Sequence, residues 1–382
     1  MKIVLSGVET NNKGAELMFY AILQEIERKY PDAIVYIPYS NIKQGFGYIS
    51  TSLKLKFTPL SRLIYKTHLT AAFRQFHLPL RWLYRANVVK HADYFIDASG
   101  FHFSDQKKNF TPAKVERWKV ILKKYSKQGT RIVFMPQAFG PAVKNNTLNG
   151  LKCISKYADL IMPREQVSYG FLEKSGVMDM SKVRLQTDFT SLVEGTFPAK
   201  YLHLRDGVCI IPNIRMIDTG VCSKEKYISL MSHIIEAASE SGHPVYLLNH
   251  EGKEDKQLAY ECIKGIRNHV EVVTGLNALE VKGMISSAYL VLSSRFHGVA
   301  SSLNSCVPCL ATSWSHKYQE LFRDYGLEGN VLPLDDIPQT VEKINEYLNE
   351  ANNDKIRQHL SQRLPLIKDK TMQMWNLVWK EK

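Results

Sequence analysis

Short apolar runs alternate along this chain with longer segments whose apolar positions have helical spacing. In the first half, the runs that predict strands are Lys2–Ser6, Ile34–Ile37, Tyr94–Asp97, Arg131–Met135, Leu160–Met162 and Val183–Gln186. A second series covers Gly207–Ile211, Val245–Leu248, Val270–Val273, Leu290–Leu292 and Val307–Ala311. Because alternating strands and helices form mostly parallel sheets with helices on both faces, the pattern predicts an α/β protein with two doubly wound domains.

A domain boundary is expected between Thr187 and Asp206, where Gly195 and Pro198 interrupt a stretch with few periodic apolar positions. The sequence therefore predicts an N-terminal domain over residues 1–195 and a C-terminal domain over residues 203–352. A last helix over residues 353–382 is expected to pack back across both domains. The length of 382 residues agrees with two domains, since single cores stop growing at roughly 250–300 residues.

Positive charge is concentrated in one segment of the first domain. The chain has 50 Lys and Arg against 37 Asp and Glu, a net charge of +13. No acidic residue lies between Asp32 and Asp93, whereas that stretch holds nine cations: Lys43, Lys54, Lys56, Arg62, Lys66, Arg74, Arg81, Arg85 and Lys90. Such charge favours an anionic partner, and since no nucleic-acid-binding motif is present, we expect no nucleic acid among the partners.

This basic segment, about residues 54–90, reads as a helical insertion. The apolar residues Leu69, Phe73, Phe76, Leu80 and Leu83 are spaced four, three, four and three apart, which is typical of one helix face. Arg74, Arg81 and Arg85 fall on a neighbouring face, and Pro79 should kink or divide the helix. Two interpretations stay open: an ordinary surface helix, or a basic aromatic helix that lies on anionic lipid headgroups.

The location of the protein follows from what the sequence lacks. Six cysteines in so long a chain do not make a disulfide framework, and no run approaches the ~18 apolar residues of a membrane-spanning helix. We therefore expect a cytoplasmic protein, with peripheral attachment to the inner face of the membrane if the basic segment binds lipid.

The most informative motif follows the strand at Leu290–Leu292 and reads Ser293-Ser294-Arg295-Phe296-His297-Gly298. At the start of a helix, Arg295 could bind a carboxylate or phosphate and His297 could carry a proton. The alternative is structural, with Arg295 capping the strand and His297 bound to a backbone carbonyl. Three further groups follow strand ends of the same domain and could line the same cleft: Arg215, His250 and Lys317. Together they predict a small, doubly charged anion as ligand.

Polar residues also follow strands of the first domain. Asn12, Lys13 and Glu16 lie at a predicted helix start, which suits an anion or a sugar, although a helix cap explains the spacing nearly as well. Asp97 and Gln137 end two strands at places where a sugar could bind. The chain has no glycine-rich nucleotide fingerprint, no D-x-D triplet and no metal-ligand spacing, so no metal site is expected.

At these residues the sequence resembles the polysaccharide pyruvyl transferase family. The likeness runs through most of the chain and is carried by the motifs Asn12-Lys13-Gly14-Ala15-Glu16, Gln137-Ala138-Phe139-Gly140-Pro141, Pro163-Arg164-Glu165 with Ser168, Asp188, Ser294-Arg295-Phe296-His297-Gly298, and Pro308 with His316-Lys317-Tyr318. Ala15 stands where many members have Asp.

The resemblance implies a GT-B-like arrangement of two Rossmann-like domains. It implies phosphoenolpyruvate as the donor co-substrate, no other cofactor, and a sugar of a surface or capsular polysaccharide precursor, such as a lipid-linked oligosaccharide, as acceptor. The product would carry pyruvate as a cyclic ketal. Arg295, Phe296 and His297 then match the family's donor-binding and catalytic element, with Arg215 and Lys317 as further donor-binding cations.

On this view His297 protonates the donor, and the acceptor side holds Asn12, Lys13, Glu16 and Gln137. The base for the sugar hydroxyls stays open among Asp97, Asp188 and Glu16. Two rival functions also stay open: a GT-B-type glycosyltransferase with a nucleotide-sugar donor, and a non-enzymatic glycan-binding or membrane-scaffold protein.

Overall fold

The structure is a computed structural model of the chain. It describes residues 1–39, 42, 45–76, 78–106, 111–313, 315 and 317–380, except for the side chain of Arg74. The chain forms two compact units. The first comprises Met1–Thr10, Met18–Phe189 and Thr371–Lys382, and the second comprises Asn11–Leu17 and Thr190–Lys370.

The first unit is built on a parallel six-stranded sheet in the order β3-β2-β1-β4-β5-β6. Its strands are β1 Lys2–Ser6, β2 Ile34–Ile37, β3 Lys54–Phe57, β4 Tyr94–Asp97, β5 Arg131–Gln137 and β6 Leu160–Pro163. Its helices are α1 Lys13–Lys29, α2 Ser61–Lys66, α3 Leu69–Gln75, α4 Leu80–Ala86, α5 Pro112–Lys127, α6 Asn145–Tyr157 and α7 Gln166–Lys174, the first turn of α1 belonging to the second unit. The central strands β4 and β5 are buried almost throughout, which explains their largely apolar sequences.

Two predictions for this unit are wrong. Val183–Gln186 does not form a strand, although it runs beside β6 through an isolated Val183–Ile161 bridge and backbone hydrogen bonds from Arg184 to Ile161 and from Gln186 to Pro163. Lys54–Phe57, predicted as part of the helical insertion, pairs with β2 as the edge strand β3. Its sequence Lys-Leu-Lys-Phe alternates exposed and half-buried positions, as expected for an edge strand rather than for a helix.

The rest of the basic segment forms three short helices, α2, α3 and α4, instead of one long helix divided at a proline. The chain breaks at His68, which has a φ of 48°, and again before Pro79. The predicted single apolar face is therefore wrong as well. Leu83 packs into the core, whereas Phe76 is 68% exposed.

The second unit contains a parallel five-stranded sheet in the order β11-β10-β7-β8-β9. Its strands are β7 Val208–Ile211, β8 Val245–Leu248, β9 Glu271–Val273, β10 Leu290–Ser293 and β11 Cys309–Ala311. Its helices are α8 Arg215–Asp218, α9 Lys224–Ser239, α10 Gly252–Cys262, α11 Ala278–Ser286, α12 Phe296–Leu303, α13 Lys317–Tyr325, α14 Ile337–Leu348 and most of α15 Glu350–Val378. Every predicted strand of this series forms: β8 has the predicted bounds, and each of the others is shifted by one or two residues at one end.

The end of the long helix α15 packs in the first unit. The Arg131 guanidinium donates to the carbonyls of Leu377 and Val378 at 2.9 and 3.0 Å, which satisfies acceptors that a helix end leaves open. The Trp379 indole donates to Glu25 Oε1 at 3.0 Å. Among the helices that the structure describes, none is both long and apolar enough to cross a bilayer.

Candidate active site

The loop from β10 into α12 carries Arg295 and His297, and hydrogen bonds hold it rigidly. Ser293 Oγ accepts from the Arg295 backbone N–H at 3.0 Å and donates to the Arg295 carbonyl at 2.9 Å. The carbonyl of Ser294, the residue before Arg295, accepts from Asn213 Nδ2 at 2.8 Å and from the Tyr318 hydroxyl at 2.7 Å. The loop after β7 and the first turn of α13 therefore fix the turn on which Arg295 sits.

Two carboxylates hold the Arg295 guanidinium. Nε donates to Asp255 Oδ2 at 2.9 Å, one terminal nitrogen also contacts Asp255, and the other contacts Glu251. Arg295 is 8% exposed and Asp255 is 1% exposed, whereas the Glu251 side chain is 31% exposed. Asp255 also accepts from the Ile214 backbone N–H at 3.0 Å, which fixes it in place. Asp255 is thus a permanent partner of Arg295, and Glu251 is the partner that solvent or a ligand can reach.

His250 lies next to this cluster and is buried. Burial lowers its pKa well below the ordinary value, and the charges of Arg295, His297 and Lys13 lower that pKa further. Its imidazole is therefore neutral near pH 7. Nδ1 has no hydrogen-bond partner among the described residues. The sequence analysis predicted that Arg295, His297 and His250 follow strand ends and line one cleft. The structure brings these three side chains together.

The first turn of α1 completes the cluster and lies in the second unit. Asn12 Oδ1 accepts from the backbone N–H groups of Gly14 and Ala15 at 2.9 and 3.2 Å, so Asn12 caps the helix. The Lys13 backbone N–H donates to the His250 carbonyl at 3.3 Å. Lys13 Nζ bonds Glu16 Oε2 at 2.6 Å. The structure thus places Asn12, Lys13 and Glu16 beside the predicted donor residues, and their acceptor role stays a prediction.

The Glu16 carboxyl is buried within this turn. Burial raises its pKa, while the Lys13 ammonium and the backbone N–H of Ala278 oppose that rise. A carboxyl with a raised pKa takes up a proton more readily than an ordinary surface carboxylate. Glu16 therefore has the character of a proton acceptor.

Position 14 requires glycine because the His297 side chain lies very close to its Cα, and not because its backbone angle is unusual. A Cβ atom on Gly14 would lie 2.2 Å from Nδ1 and 2.6 Å from Cγ of His297. No L-residue fits at these distances unless the imidazole moves. The helix α1 therefore contacts the His297 ring directly through the bare Cα of Gly14.

A Gly14→Ala substitution should therefore displace His297 and destabilise the protein, by about 1–3 kcal/mol, as overpacking in rigid surroundings does. Gly170→Ala is the matched control, since Gly170 lies in helix α7 and a Cβ there meets nothing within 4 Å. Alanine at that helical position should stabilise by about 0.5–1 kcal/mol. Denaturant unfolding compares the two variants, and stabilisation of both would contradict the close contact.

The other predicted donor residues have different surroundings. The Phe296 ring packs edge-on against His297 and Tyr318, with centroid distances of 5.2 and 6.1 Å. Lys317 is buried at the start of α13, and its neighbour His316 lies outside the described residues. Arg215 opens α8, is half exposed, and pairs with Asp218 at 3.5 Å.

The predicted polar residues of the first unit also lie together. Asp97 is completely buried at the end of β4, and burial raises its pKa to about 6. It accepts from Ser99 Oγ at 2.9 Å and from Gln137 Nε2 at 3.4 Å. Asp188, the third candidate base, lies 3.7 Å from the Arg164 guanidinium. That ion pair supports a structural role for Asp188.

Sequence reasoning missed Glu251 and Asp255. They stand four residues apart around the start of α10, a spacing that places both on one helix face. That spacing was the available signal, but acidic residues in a first helical turn are usually read as exposed. Only the tertiary structure shows that they face Arg295.

Searches against known proteins support the fold. A search of curated proteins finds no match. Among solved structures, the UDP-GlcNAc 2-epimerase of Methanocaldococcus jannaschii matches with a TM-score of 0.59 at 10% identity over 100% of both chains. The Neisseria meningitidis UDP-GlcNAc 2-epimerase gives 0.59 at 10% over 99% of both chains. Anabaena HepE with UDP and glucose gives 0.60 at 12% over 99% of this chain and 98% of that chain. These matches confirm the predicted fold class, two Rossmann-like domains of the GT-B-like type.

The sequence itself matches a family model. That model is described as "Polysaccharide pyruvyl transferase" and matches residues 12–316, most of the 382 residues. The matched range begins at the Asn12 cap and includes Arg295 and His297, so the predicted resemblance is confirmed. This chain therefore belongs to the polysaccharide pyruvyl transferase family, a family of transferases of polysaccharide biosynthesis whose acceptor is a sugar or polysaccharide.

Proposed function

We propose that this transferase moves the enolpyruvyl group of phosphoenolpyruvate onto a sugar of a surface or capsular polysaccharide precursor and forms a cyclic pyruvate ketal. The observation that carries the proposal is the buried Arg295 with His297 two residues later at the start of α12. An arginine fork binds carboxylate or phosphate, and the neighbouring imidazole supplies the proton that the C2=C3 double bond of an enol phosphate must take up.

Donor binding requires that Arg295 change one of its partners. Asp255 is buried and held by Ile214, so it stays. Glu251 is partly exposed, so an incoming carboxylate or phosphate can replace it on the same guanidinium edge. Lys13, Lys317 and Arg215 are the further cations of this unit that could neutralise the second anionic group of phosphoenolpyruvate.

The chemistry then needs one acid and one base. His297 gives a proton to C3, which makes C2 electrophilic, and a sugar hydroxyl adds to C2 as it loses its proton. Inorganic phosphate leaves with the C2–O bond electrons. A second hydroxyl of the sugar then adds to C2, gives its proton to the departing phosphate and closes the ketal. With Asp188 beside Arg164, Asp97 and Glu16 are the better candidates for the base.

The decisive experiment incubates the purified protein with phosphoenolpyruvate and with free or lipid-linked glycans. Mass spectrometry should find one pyruvyl ketal added to the acceptor, and inorganic phosphate release should depend on the acceptor. Absence of both in the presence of every acceptor tried would contradict the proposal.

A nucleotide-sugar donor is the second candidate, because several structural neighbours are described in complex with UDP. Those neighbours are about 10–12% identical to this chain, so they support the fold rather than the donor. The same assay separates the two donors. Glycosyl transfer from a UDP-sugar without any reaction of phosphoenolpyruvate would establish the second candidate.

A Glu251→Gln substitution tests the exchange of partners at Arg295. Without the charge of Glu251, the guanidinium should bind the donor more readily, so the KM for phosphoenolpyruvate should fall severalfold. Glu254→Gln is the matched control, because Glu254 lies on the same helix and makes no ion pair among the described residues. An unchanged KM in Glu251→Gln would show that Glu251 does not compete with the donor.

We also propose that the basic segment lies against an anionic membrane that carries the lipid-linked acceptor. Five large apolar side chains of this segment are exposed: Leu63, Tyr65, Phe76, Leu78 and Trp82. The exposed cations Arg62, Lys66, Arg81 and Arg85 lie among them. Aromatic side chains mixed with cations are typical of surfaces that bind lipid headgroups. The third predicted arginine, Arg74, has its side chain outside the described part of the chain.

An Arg81→Gln, Arg85→Gln double variant should bind phosphatidylserine vesicles about tenfold more weakly or worse, since each cation contributes about 1 kcal/mol. Turnover on a soluble glycan should not change. Lys152→Gln with Lys156→Gln is the matched control, because these exposed cations have the same spacing on α6. Equal vesicle binding by both double variants in a sedimentation assay would exclude this surface.

A further inference from the structure

A cavity of about 570 Å³ lies in the first unit. It opens at the carboxyl ends of the parallel strands, where Ser6 ends β1, Thr58 follows β3 and Ser99 follows β4. Helix α5 forms another wall. Ligands of open parallel sheets bind at this edge, and small-molecule sites commonly have volumes of about 300–1,000 Å³.

Two cations from α5, Lys114 and Arg117, line the cavity one helical turn apart. Neither makes an ion pair or a side-chain hydrogen bond among the residues that the structure describes. Among the described residues that line the cavity, Glu9 is the one with a carboxylate, so the two cations outnumber it. The cavity wall therefore carries excess positive charge.

The pKa values of both cations reflect this arrangement. Burial lowers the pKa of Lys114, and the neighbouring charge of Arg117 lowers it further. The surroundings of the Arg117 guanidinium also lower its pKa by desolvation, although the residue as a whole is exposed to solvent. Holding two like charges together without a counterion is unfavourable, and a bound anion would remove that cost.

The remaining lining suits a sugar. Trp118 and Phe101 offer aromatic faces for the apolar face of a pyranose ring, and Ser6, Thr58 and Asn87 offer hydrogen-bonding groups. Ser99 lines the same cavity and donates to Asp97 at 2.9 Å, which connects the cavity to a candidate base. Neutral sugars need no cations, so the pair indicates an additional charged group on the ligand.

We propose that this cavity binds the acceptor glycan through an anionic group on its sugar, a carboxylate or a phosphate, held by Lys114 and Arg117. The inference rests on the proposed function and narrows its acceptor to an acidic saccharide. The two cations would fix the anionic group while Trp118 packs against the ring. The hydroxyls to be bridged would then lie on the Asp97 side of the cavity.

Titration calorimetry and ligand-observed NMR on the full chain test this site with glucuronic acid, glucose 1-phosphate, glucose and inorganic phosphate. The wild-type protein should bind an acidic sugar about tenfold or more tightly than glucose. A preference for glucuronic acid assigns the group as carboxylate, and one for glucose 1-phosphate assigns it as phosphate. Equal binding of glucose and both acidic sugars would overturn the proposal. If inorganic phosphate bound as tightly as glucose 1-phosphate, the sugar ring would add nothing to the affinity. That result would overturn the proposal that the cavity recognises a sugar.

A Lys114→Gln, Arg117→Gln double variant should lose this preference and bind all three sugars alike. Lys119→Gln with Lys123→Gln is the matched control, because both lysines are exposed on α5 and neither lines the cavity. An unchanged preference in Lys114→Gln, Arg117→Gln would overturn the site. These titrations contain no phosphoenolpyruvate, so their outcome and that of the transfer assay are independent of each other.

Discussion

Replacement of His297 by alanine should lower the kcat of pyruvyl transfer by about 10²–10⁴-fold, the usual contribution of a positioned general acid. Donor binding should change much less, because Arg295 and its carboxylate partners do not depend on the imidazole. The KM for phosphoenolpyruvate should therefore stay within a few-fold of the wild-type value. Acceptor-dependent phosphate release measures both constants.

His269→Ala is the matched control for this variant, because His269 is exposed in the same unit and should leave turnover unchanged. A reaction in deuterium oxide adds an independent readout, since protonation at C3 should leave one deuterium in the methyl group of the ketal. Unchanged kcat in His297→Ala would exclude His297 as the acid. A ketal methyl without deuterium would exclude protonation at C3 by a solvent-exchangeable group.

The buried strands could be predicted from the sequence because each is a continuous apolar run. Strands β7, β8 and β10 are buried along their whole length, so every position reports the same environment. Strand β3 was missed because its positions alternate between exposed and half-buried and its lysines look like a basic surface. The segment after β3 was expected to be a helix kinked or divided at Pro79, and a break does precede that proline. The further break at His68 was missed, since helical spacing continues across it and only the backbone reveals it.

For the candidate site too, some features could be predicted from the sequence and others could not. Arg295 and His297 could be found because they follow a recognisable strand within one short segment. The contact of Gly14 with His297 and that of Asp255 with Arg295 join segments far apart in the chain. No local pattern encodes them, so Gly14 looked like a turn residue and Asp255 like a surface acid. The assignment of Asn11–Leu17 to the second unit is a tertiary fact of the same kind.

The second large effect is expected at Arg295. Its replacement by methionine would leave Asp255, which is 1% exposed, as a buried carboxylate without its cation. Breaking a buried pair from one side typically costs about 3–5 kcal/mol, because the remaining charge is uncompensated. Arg295→Met should therefore lower the free energy of unfolding by about that amount and should also abolish transfer. Denaturant unfolding and phosphate release measure the two effects separately.

A second substitution separates structure from function at this pair. Arg295→Met combined with Asp255→Leu removes both charges, so most of the lost stability should return, as when apolar residues replace a buried ion pair. Transfer should stay absent, because the donor still lacks its guanidinium. Arg323→Met is the control, since its exposed pair with Glu320 should contribute less than about 1 kcal/mol. If the stabilised double variant regained transfer, Arg295 would serve only the fold, and the donor would have to bind to other cations.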